Sequence, residues 1–517
     1  MRVNRQSPAG RANFRFLISL LLNLAVAVFV LSDLKGARDL ILGAESEDLT
    51  AEVASPGRPD RSETAVSVLK PRACKPCEFT PALCAEIGDY NVARAIDSIS
   101  ANNRLRRVLA KIRAGQPFDF AVLGGSASLG HGIPYGKEHS DPDFDPANSR
   151  ANLHRIIFDY LAGLAPQPKE VVIGASGKKE GKNGYINGSK AGTGSGYFAY
   201  CFPEHIPEDV DVVVIELGIN DELLLQNLDT YEFMVRGVLD LPNKPAVIYA
   251  HIFNLLFNTM SSGGDLHRGL NRYYNIPMIS SRDAMLSTIL QDNTLVEKVF
   301  TRERGTPGDG DYSALDLRHI STYGHHITGG LVSAYIGMQL CDMESESEMR
   351  GDATVADVNV LYPIEPIPRM RLGTKWDPDT KLETLHPSCF SMDSKKHPLV
   401  PKAQKGWRKW NWKEKYYWIS TDPGSTISFD FRTIVGEVSI HYLRSQTFGL
   451  GDLYCWVDND RSKDTRMEGW WPLEFNIAQH MEIQGLSPGA HVLNCELTPD
   501  THDPNGGHEF RLIGLTR

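Results

Sequence analysis

The sequence FDFAVLGGSASLG, residues 118–130, decides the fold of this chain. Its apolar run has no helical period and closes on Gly124, Gly125 and Ser126, a pattern typical of a buried parallel strand that ends in a sharp turn. The two glycines let the backbone turn tightly and approach a ligand. Ligands of open α/β sheets bind beyond the carboxyl ends of the strands. We therefore expect the Ser126 hydroxyl to lie at the ligand-binding edge of a parallel sheet.

Further apolar strands, separated by helical segments, extend this pattern on both sides. The predicted strands are 170–173, 210–217, 245–253 and 276–279, and the predicted helices include 92–113, 151–164, 221–239 and 322–340. Strands that alternate with helices indicate a parallel sheet covered by helices on both faces. The sequence therefore predicts an α/β domain, which we place at residues 91–342.

The composition changes after this domain. Residues 343–377 are acidic at first and then rich in proline, which is typical of a linker or of a strap. Beyond them, short runs such as 426–431, 437–442 and 489–497 alternate apolar and polar residues with a period of two. Turn-rich spacers separate these runs. The pattern predicts an antiparallel β-sandwich as a second, all-β domain at residues 378–517.

The N-terminal region has the features of a membrane anchor. Residues 14–31 are almost entirely apolar and near the lower limit for a helix that spans a bilayer. Arginines precede the run and acidic residues follow it, which places the N-terminus in the cytosol. We predict a cytosolic tail and transmembrane anchor at 1–31, a stem at 32–90, and a single-pass type II protein whose bulk is lumenal or extracellular. A cleaved signal peptide, with cleavage near 41–44, is the alternative.

Charge and cysteine content limit the function classes. The chain has 517 residues, too many for one core, and a net charge of −10, without the basic stripe that nucleic-acid binding needs. Eight cysteines fit an oxidising compartment. Cys74 and Cys77 have the spacing of a redox pair or half of a zinc site, but no second pair of that spacing accompanies them. We therefore expect structural disulfides, with their connectivity left open.

Three further segments place polar or glycine-rich motifs where strands end or helices begin. They read NGSKAGTGSG at 187–196, GIND at 218–221, and DLRH at 316–319 followed by GHH at 324–326. Together with Gly124-Gly125-Ser126 and in this order, they resemble the SGNH/GDSL superfamily of esterases and acyl hydrolases. The resemblance covers about residues 90–342. It implies a flavodoxin-like three-layer sandwich with a parallel sheet, the SGNH hydrolase fold.

The resemblance also implies a set of catalytic residues. Ser126 matches the nucleophile, His319 the base and Asp316 the acid that orients this base. The Ser126 N–H, the Gly192 N–H and the Asn220 side-chain amide match the oxyanion hole, whose donors stabilise the negative charge of a tetrahedral intermediate. We predict neither a cofactor nor a metal ion for this site.

One position departs from the family pattern. The first block usually reads Gly-Asp-Ser, and Gly125 stands here in the place of the aspartate. That aspartate is not the acid of the triad, so the chemistry survives, but the support of the serine loop stays open. Ser128 is a rival nucleophile, although a capping role is favoured two residues after the turn. The glycosylation sequon at Asn187 lies in the predicted site, and we expect it to be unmodified.

Each remaining motif has a structural interpretation beside the functional one. Asn220 could cap a helix, a common use of this residue type. Asp316, His319 and His325, with His326, could be metal ligands, but the spacing of a known zinc motif is absent. We favour a packing role for His325. Glu216 lies inside a predicted strand without an acid partner at a useful spacing, so we expect a structural carboxylate.

The C-terminal part contains the tryptophans of the chain. They are Trp376, Trp407, Trp410, Trp412, Trp418, Trp456, Trp470 and Trp471. Such residues either form the core of a small sandwich or offer rings on which sugars stack, and the core interpretation is favoured. For the sugar-binding interpretation, the candidate surface is Trp407, Trp410 and Trp412, which lie among lysines and an arginine.

These observations predict a membrane-anchored serine esterase of the SGNH type. Its substrates would be small acyl esters, above all acetyl esters, and the compartment and the tryptophans point to carbohydrate as the carrier. Two alternatives stay open. One is an O-acyltransferase that modifies glycans of the secretory pathway with the same triad, and the other is a catalytically silent glycan-binding protein. The predicted partners are an acylated glycan and the membrane, without nucleic acid.

Overall fold

The computed structural model describes nine segments of the chain. They are residues 72–133, 145–257, 259–302, 315–350, 357–379, 388–412, 415–433, 436–474 and 476–517. These segments all belong to one compact unit, Leu69–Arg517. The predicted anchor and the larger part of the predicted stem lie outside the described residues. Across the described segments, no helix combines the length and the apolarity that crossing a membrane requires.

The first domain is built on a central sheet of seven described strands. They are β1 (Ile96–Ser98), β2 (Asp119–Gly124), β3 (Val171–Ile173), β4 (Asn183–Asn187), β5 (Val212–Glu216), β6 (Ala246–His251) and β7 (Met278–Ser280). Their order is β1-β7-β6-β5-β2-β4-β3. Neighbouring strands run parallel, except that β1 is antiparallel to β7. The predicted α/β domain with a mainly parallel sheet is confirmed.

Helices cover both faces of this sheet. They are α1 (Pro81–Ile87), α2 (Asp89–Ala95), α3 (Asn103–Arg113), α4 (Leu153–Gly163), α5 (Ser195–His205), α6 (Leu225–Asp240), α7 (Gly263–Tyr273), α8 (Ser281–Gln291), α9 (Leu295–Val299), α10 (Thr322–Arg350) and α11 (Val358–Leu361). Successive side chains of a strand point to opposite faces. In β2, Phe120 and Val122 pack in the core beneath α3, α4 and α10, whereas Ala121 and Leu123 pack in the core beneath α5 and α6. The central strand therefore belongs to both cores.

One local prediction for this domain is wrong, and one strand was missed. The helix expected over 92–113 is broken, because α2 ends at Ala95, β1 pairs with β7 and Asn102 adopts a left-handed backbone conformation before α3. Strand β4 was not predicted, because its sequence Asn-Gly-Tyr-Ile-Asn lacks an apolar run. Its register comes from hydrogen bonds to β2 and β3 on either side.

The predicted stem and linker are more ordered than expected. Residues 81–95, which include the end of the stem, form α1 and α2, and Leu83 and Val92 enter the domain core. Helix α10 runs past the predicted domain end to Arg350. Residues 357–379 lie against α3 and α6, where Arg107 Nε donates to the Tyr362 carbonyl at 2.7 Å. This segment is therefore a packed strap rather than a free linker, because backbone groups in it have partners on two helices.

The C-terminal domain consists of antiparallel strands in two sheets. They are β10 (Cys389–Ser391), β11 (Ala403–Lys405), β12 (Arg408–Trp412), β13 (Lys415–Ser420), β14 (Thr426–Thr433), β15 (Val438–Arg444), β16 (Asp452–Val457), β17 (Thr465–Glu468), β18 (Ile477–Ile483), β19 (Gly489–Leu497) and β20 (Phe510–Thr516). One sheet has the order β12-β13-β20-β15-β18 with β10 beside β20, and the other has the order β11-β14-β19-β16-β17. A common core lies between them. The predicted all-β domain is confirmed.

The two domains share an apolar interface. Tyr417, Ile419, Leu443 and Ile513 of the sandwich belong to the same core as α5 and α6. The Ala478 N–H donates to the Gly192 carbonyl at 2.8 Å, so β18 contacts the glycine-rich loop directly. The sandwich therefore packs on the first domain beside the predicted catalytic residues.

Every cysteine of the chain is disulfide-bonded, as expected. The pairs are Cys74–Cys341, Cys77–Cys84, Cys201–Cys389 and Cys455–Cys495. Cys74 and Cys77 have different partners, so they form neither a redox pair nor part of a zinc site. The Cys201–Cys389 bond joins α5 to β10 and thus links the two domains covalently.

A further strand pair at the edge of the first domain carries two predicted site residues. Strand β8 (Phe300–Arg302) pairs with β9 (Leu315–Ile320) in antiparallel order. The register jumps, because Thr301 faces Asp316 whereas Phe300 faces Ile320. Residues 317–319 therefore bulge out of the ladder, and a bulge of this kind re-aims the side chains it carries.

Candidate active site

Ser126 lies in the turn that follows β2. The Gly125 N–H donates to the Glu216 carbonyl of β5 at 3.3 Å, and the Leu129 and His131 N–H groups donate to the Gly125 and Ser126 carbonyls. The turn is thus closed by its own backbone and attached to the neighbouring strand. It holds the Ser126 hydroxyl at the carboxyl end of the sheet, where the sequence predicted it.

The bulge of β9 brings His319 to this hydroxyl. His319 Nε2 lies 2.7 Å from Ser126 Oγ, and His319 Nδ1 lies 2.5 Å from Asp316 Oδ2. Burial on its own raises the pKa of Asp316, but the hydrogen bond and charge of His319, with the charge of Arg318, outweigh burial and hold the pKa below its usual value. The carboxylate therefore stays ionised and holds the proton of the imidazole on Nδ1, which leaves Nε2 free to accept the serine proton.

The three predicted oxyanion donors come together at the same place. Ser126, Gly192 and Asn220 line one cleft with His319. Gly192 has a φ of +68°, a conformation that favours glycine, and its carbonyl is held by the sandwich. Asn220 follows β5, and its side chain lies against Gly125. A Cβ on residue 125 would fall 1.8 Å from Asn220 Oδ1, so only glycine allows this approach.

Asp221 connects the segments that carry Asn220 and Gly192, a role that the sequence did not predict. Its Oδ1 accepts the Ser195 N–H at 2.7 Å at the start of α5, just beyond the glycine-rich loop. Its Oδ2 lies 2.9 Å from Nε2 of the buried His267, at an angle that departs from a linear hydrogen bond. The acidic residue in the GIND motif was the only sequence signal for this contact.

His267 is in turn fixed by two tyrosines. Its Nδ1 lies 2.7 Å from the Tyr249 hydroxyl, and its ring stacks on the ring of Tyr231 with centroids 3.7 Å apart. Burial raises the pKa of Tyr249 well above its usual value, so this hydroxyl keeps its proton and donates it. The imidazole then carries its own proton on Nε2, toward Asp221.

Ser128, the rival nucleophile, is fully buried. Its Oγ donates to Glu216 Oε2 at 2.9 Å and lies 2.8 Å from His154 Nε2. Burial raises the pKa of Glu216 to about 8. Ser128 therefore cannot reach a substrate, and Glu216, expected to be a structural carboxylate, contacts the turn that carries Ser126.

The histidines that follow Asp316 do not converge on a metal site. His325 is fully buried, and its Nδ1 accepts the Leu153 N–H at 3.2 Å, in line with the expected packing role. His326 points to Glu86 instead, with Nε2 and Oε2 3.6 Å apart. In the described part of the chain, the one group with metal-ligand spacing is Cys77, Cys84 and Asp89, whose cysteines are disulfide-bonded.

The sequon side chain is used inside the fold. Asn187 Nδ2 donates to the Ser128 carbonyl at 2.9 Å and to the Ala147 carbonyl at 3.3 Å. This nitrogen is the atom that glycosylation would modify. The contacts agree with the expectation that the sequon is unmodified.

The cleft above these residues has a volume of about 610 Å³ and two different walls. Ile219, Glu222, Leu256 and Arg318 are among the residues that the first domain contributes. The sandwich contributes Trp412, Lys415, Pro472, Leu473, Glu474, Asn476 and Ile477. A pocket of this size holds a ligand much larger than an acetyl group.

The predicted tryptophan surface is reduced to one residue at the cleft. Trp407 is buried in the sandwich core, and Trp410 stacks on Tyr417 beneath the guanidinium of Arg511. Trp412 is 44% exposed and lines the cleft. Trp410 and Trp412 are two residues apart on β12 and share one face, but Tyr417 and Arg511 cover Trp410, so Trp412 is the one of the three that lines the cleft.

Comparison with known proteins supports the fold and its two-domain organisation. No family model matches this chain, and a search of curated proteins finds no similar sequence. The crystal structure of a two-domain esterase (CEX) active on acetylated mannans is similar with a TM-score of 0.57 and 18% identity, over 82% of this chain and 97% of that chain. The same esterase co-crystallised with mannopentaose gives a TM-score of 0.56. At this identity the likeness shows a shared fold.

Proposed function

We propose that this chain is a serine ester hydrolase of the SGNH type that removes small acyl groups, above all acetyl groups, from carbohydrate. The observation that carries the proposal is the hydrogen-bonded series Ser126, His319 and Asp316 at the bottom of a cleft. Gly192 and Asn220 beside them supply donors for an oxyanion. The residues predicted from the resemblance and the geometry thus point to the same chemistry.

In the proposed reaction, Ser126 Oγ attacks the ester carbonyl while His319 Nε2 takes the hydroxyl proton. The tetrahedral intermediate then collapses. His319 returns the proton to the sugar oxygen, the bond between that oxygen and the carbonyl carbon breaks, and the acyl group stays on Ser126. Water then attacks the carbonyl carbon of the acyl-enzyme while His319 takes one of its protons. The bond between that carbon and Ser126 Oγ breaks, His319 returns the proton to Ser126 Oγ, and the carboxylic acid leaves. Asp316 stabilises the imidazolium that forms in both halves of the reaction.

The oxyanion of each tetrahedral intermediate would be bound by the Ser126 N–H, the Gly192 N–H and the Asn220 amide. Donors that are aimed in advance at the developing charge contribute most to such reactions, and one donor is worth about 3 kcal/mol of transition-state stabilisation. Two contacts position two of these donors. Gly192 accepts a hydrogen bond from Ala478 of the sandwich, and the Asn220 side chain packs against Gly125. The site is thus preorganised before substrate binds.

Carbohydrate as the acyl carrier is supported by the second wall of the cleft. Trp412 offers an aromatic face, and Lys415, Glu474 and Asn476 offer polar groups of the kind that bind sugar hydroxyls. The similar solved structure belongs to an esterase active on acetylated mannans. Acetylated manno-oligosaccharides are therefore the first substrates to test.

We also propose that the protein is anchored by residues 14–31 with its folded unit on the lumenal or extracellular side. The four disulfide bonds of the folded unit support this side, because such bonds persist in oxidising compartments. The proposal is tested by whether the full chain remains with the membrane after carbonate extraction. Release into the soluble fraction would contradict it.

The test of the catalytic proposal is acetate release from acetylated manno-oligosaccharides by the full chain. We expect turnover in the wild-type protein and a loss of at least 10³-fold in Ser126→Ala, because the nucleophile is removed. Ser462→Ala, which removes an exposed hydroxyl in the sandwich, is the matched control and should retain full activity.

Three outcomes would contradict the proposal. Equal acetate release by the wild type and Ser126→Ala would exclude the serine mechanism. If neither protein releases acetate, but the wild type moves acetyl groups to an added sugar acceptor, the O-acyltransferase replaces the hydrolase. Binding of the oligosaccharide without either reaction would favour the catalytically silent glycan-binding protein.

A further inference from the structure

A buried polar cluster lies behind the nucleophile turn, and the proposed mechanism does not use it. It consists of Ser128, Glu216 and His154, none of which has an exposed surface. The Ser128 hydroxyl joins the other two, with Glu216 Oε2 2.9 Å and His154 Nε2 2.8 Å away. One oxygen thus links β5 and α4 to the turn.

This cluster holds the turn on both sides of Ser126. Before it, the Gly125 N–H donates to the Glu216 carbonyl at 3.3 Å. After it, the Ser128 carbonyl accepts the side-chain amides of Asn152 and Asn187, each at 2.9 Å. Any movement of β5 at Glu216 therefore changes the positions of Gly125 and Ser128, which lie on either side of the nucleophile.

We propose that Glu216 is a positioning residue for Ser126 that acts as a neutral carboxylic acid, so that the nucleophile turn is competent only while Glu216 keeps its proton. The inference rests on the proposed function, because it concerns the reactivity of Ser126. It also explains why the turn does not need the aspartate that the SGNH pattern usually has in the place of Gly125, because Glu216 on β5 supports the turn instead.

Burial is what favours the neutral form. It raises the pKa of Glu216 to about 8, against the hydrogen bond from the Ser128 hydroxyl and the N–H groups of Gly125 and Ser128, while the charge of Asp221 raises the pKa further. At pH 7 the carboxyl is therefore mostly protonated. Above pH 8 it carries a negative charge.

The other titratable groups that face this cluster do not change their protonation state between pH 7 and pH 9. Burial raises the pKa of Tyr249 on β6 well above its usual value. Burial, and to a smaller extent the charge of His325, lowers the pKa of His154 on α4 well below its usual value. Burial and the charge of His319 lower the pKa of His325 on α10 to about 3. Tyr249, His154 and His325 thus stay neutral between pH 7 and pH 9, since these pH values lie far from their shifted pKa values.

Ionisation of Glu216 acts against the reaction in two ways. The charge lies behind Ser126, whose N–H is aimed at the oxyanion, so it opposes the negative charge that develops in the transition state. It also attracts more strongly the N–H groups of Gly125 and Ser128, which lie on either side of Ser126. The reactivity of Ser126 therefore falls as the pH rises through the pKa of Glu216.

The test measures how fast a fluorophosphonate labels Ser126 between pH 7 and pH 10, with peptide mass spectrometry to locate the label. The Ser126 oxygen forms the bond to phosphorus, His319 takes the proton and fluoride leaves. With a pKa of about 8, one unit above it leaves about a tenth of Glu216 protonated. The wild-type rate at pH 9 should therefore be about a tenth of its own rate at pH 7.

Glu216→Gln should remove this decline, because the amide is neutral at every pH and similar in shape. Its rate at pH 9, relative to its own rate at pH 7, should stay near one. Ser128→Ala is a second variant with a different expected result. It loses the hydrogen bond that lowers the pKa of Glu216, so the decline should move to higher pH. Glu437→Gln is the matched control, because burial also raises the pKa of this carboxyl in the sandwich.

Each outcome separates this inference from the proposed function. If the wild type is labelled at Ser126 but its pH profile coincides with that of Glu216→Gln, the inference is overturned and the serine hydrolase stands. The inference is also overturned if the labelling rate of Ser128→Ala declines at the same pH as that of the wild type, or if the labelling rate of Glu437→Gln does not decline. If Ser126 is not labelled at any pH, the proposed function fails and the inference fails with it.

Discussion

Gly125 and the Asn220 side chain form one unit at the scale of single residues. A Cβ on residue 125 would fall 1.8 Å from Asn220 Oδ1 and 2.7 Å from Asn220 Cγ, far inside van der Waals contact. The close approach holds regardless of which way the amide is turned. Gly125 therefore leaves the space that a predicted oxyanion donor occupies.

A side chain at residue 125 should displace Asn220. We expect Gly125→Ala to lower kcat by 10²–10³-fold, the cost of about one oxyanion donor. Gly125→Asp, which restores the family pattern, should be at least as inactive, because a larger side chain must fit in the same space. Kinetics on a small acetyl ester measure both effects.

The matched control is Gly269→Ala on α7, where a Cβ meets no atom within 4 Å. It should keep kcat and slightly raise stability, because alanine is favoured over glycine in a helix. Full activity in Gly125→Asp would show that Asn220 moves without loss, and would contradict its assignment as a donor.

The residues of the site could be predicted from the sequence, but their supports could not. Ser126, His319, Asp316 and Asn220 belong to motifs whose order resembles a known family. Glu216 has no such motif, because its role depends on the Ser128 hydroxyl, which is brought to it by the pairing of β2 with β5. The sequence alone gave no reason to place these two side chains together.

At the scale of elements, Asp221 ties the end of β5 to the start of α5. The strand leads to Asn220 and the helix follows Gly192, so one carboxylate links the segments of two proposed oxyanion donors. Its Oδ1 accepts the Ser195 N–H at 2.7 Å, and Gly263 at the start of α7 donates its N–H to the Asp221 carbonyl at 2.9 Å.

Removal of this carboxylate should loosen both segments. We expect Asp221→Ala to lower kcat 10–100-fold with a smaller change in KM, because displaced oxyanion donors weaken the binding of the transition state more than the binding of the substrate. The Ser195 N–H also loses its partner inside the protein, which costs about 1–3 kcal/mol of stability. Steady-state kinetics and denaturant unfolding measure the two effects.

Asp240→Ala is the control, because it removes an exposed carboxylate that pairs with Lys244 at the end of α6. It should change neither kcat nor stability by much, since exposed pairs contribute little. A kcat for Asp221→Ala equal to that of this control would show that the link between β5 and α5 has no catalytic effect.

Elements with strong periodicity were predicted, whereas elements that depend on their neighbours were not. β5 and β6 are long apolar runs, and their prediction is confirmed. β4 has polar ends and exists through its pairing on both sides. β9 curves around a bulge, and the bulge depends on its partner β8. A local sequence pattern holds no information on such partners.

At the scale of the whole molecule, the sandwich is part of the cleft. The expected linker is a packed strap, and the Cys201–Cys389 bond and a shared apolar core join the domains. This placement could not be predicted, because the interface uses single residues from several strands, such as Leu443 on β15 and Ile513 on β20. Each of them fits the alternation of an ordinary strand.

The cleft wall that the sandwich contributes should affect the kinetics on a large substrate and not those on a small one. We expect Trp412→Ala to raise KM for an acetylated oligosaccharide about 2- to 10-fold, because aromatic contacts are worth about 0.5–1.5 kcal/mol. The kinetics on a small acetyl ester should stay within about twofold. Parallel assays of both substrates measure the two changes.

Trp376→Ala is the matched control, because this tryptophan is 75% exposed and lies in the strap rather than in the cleft. It should leave both substrates unaffected. An equal loss on both substrates in Trp412→Ala would show that the residue supports the fold of the site instead of binding sugar.

The central claim is that Ser126 carries the acyl group during the reaction, and the most direct measurement is to trap that intermediate. The full chain is mixed with an activated acetyl ester, quenched in acid within one turnover and analysed by fragmentation of the peptide that contains residues 118–130. We predict one added acetyl group on Ser126 and none on Ser128, and its absence in Ser126→Ala. Acetate release that continues in Ser126→Ala, or an acetyl group on another residue, would contradict the account.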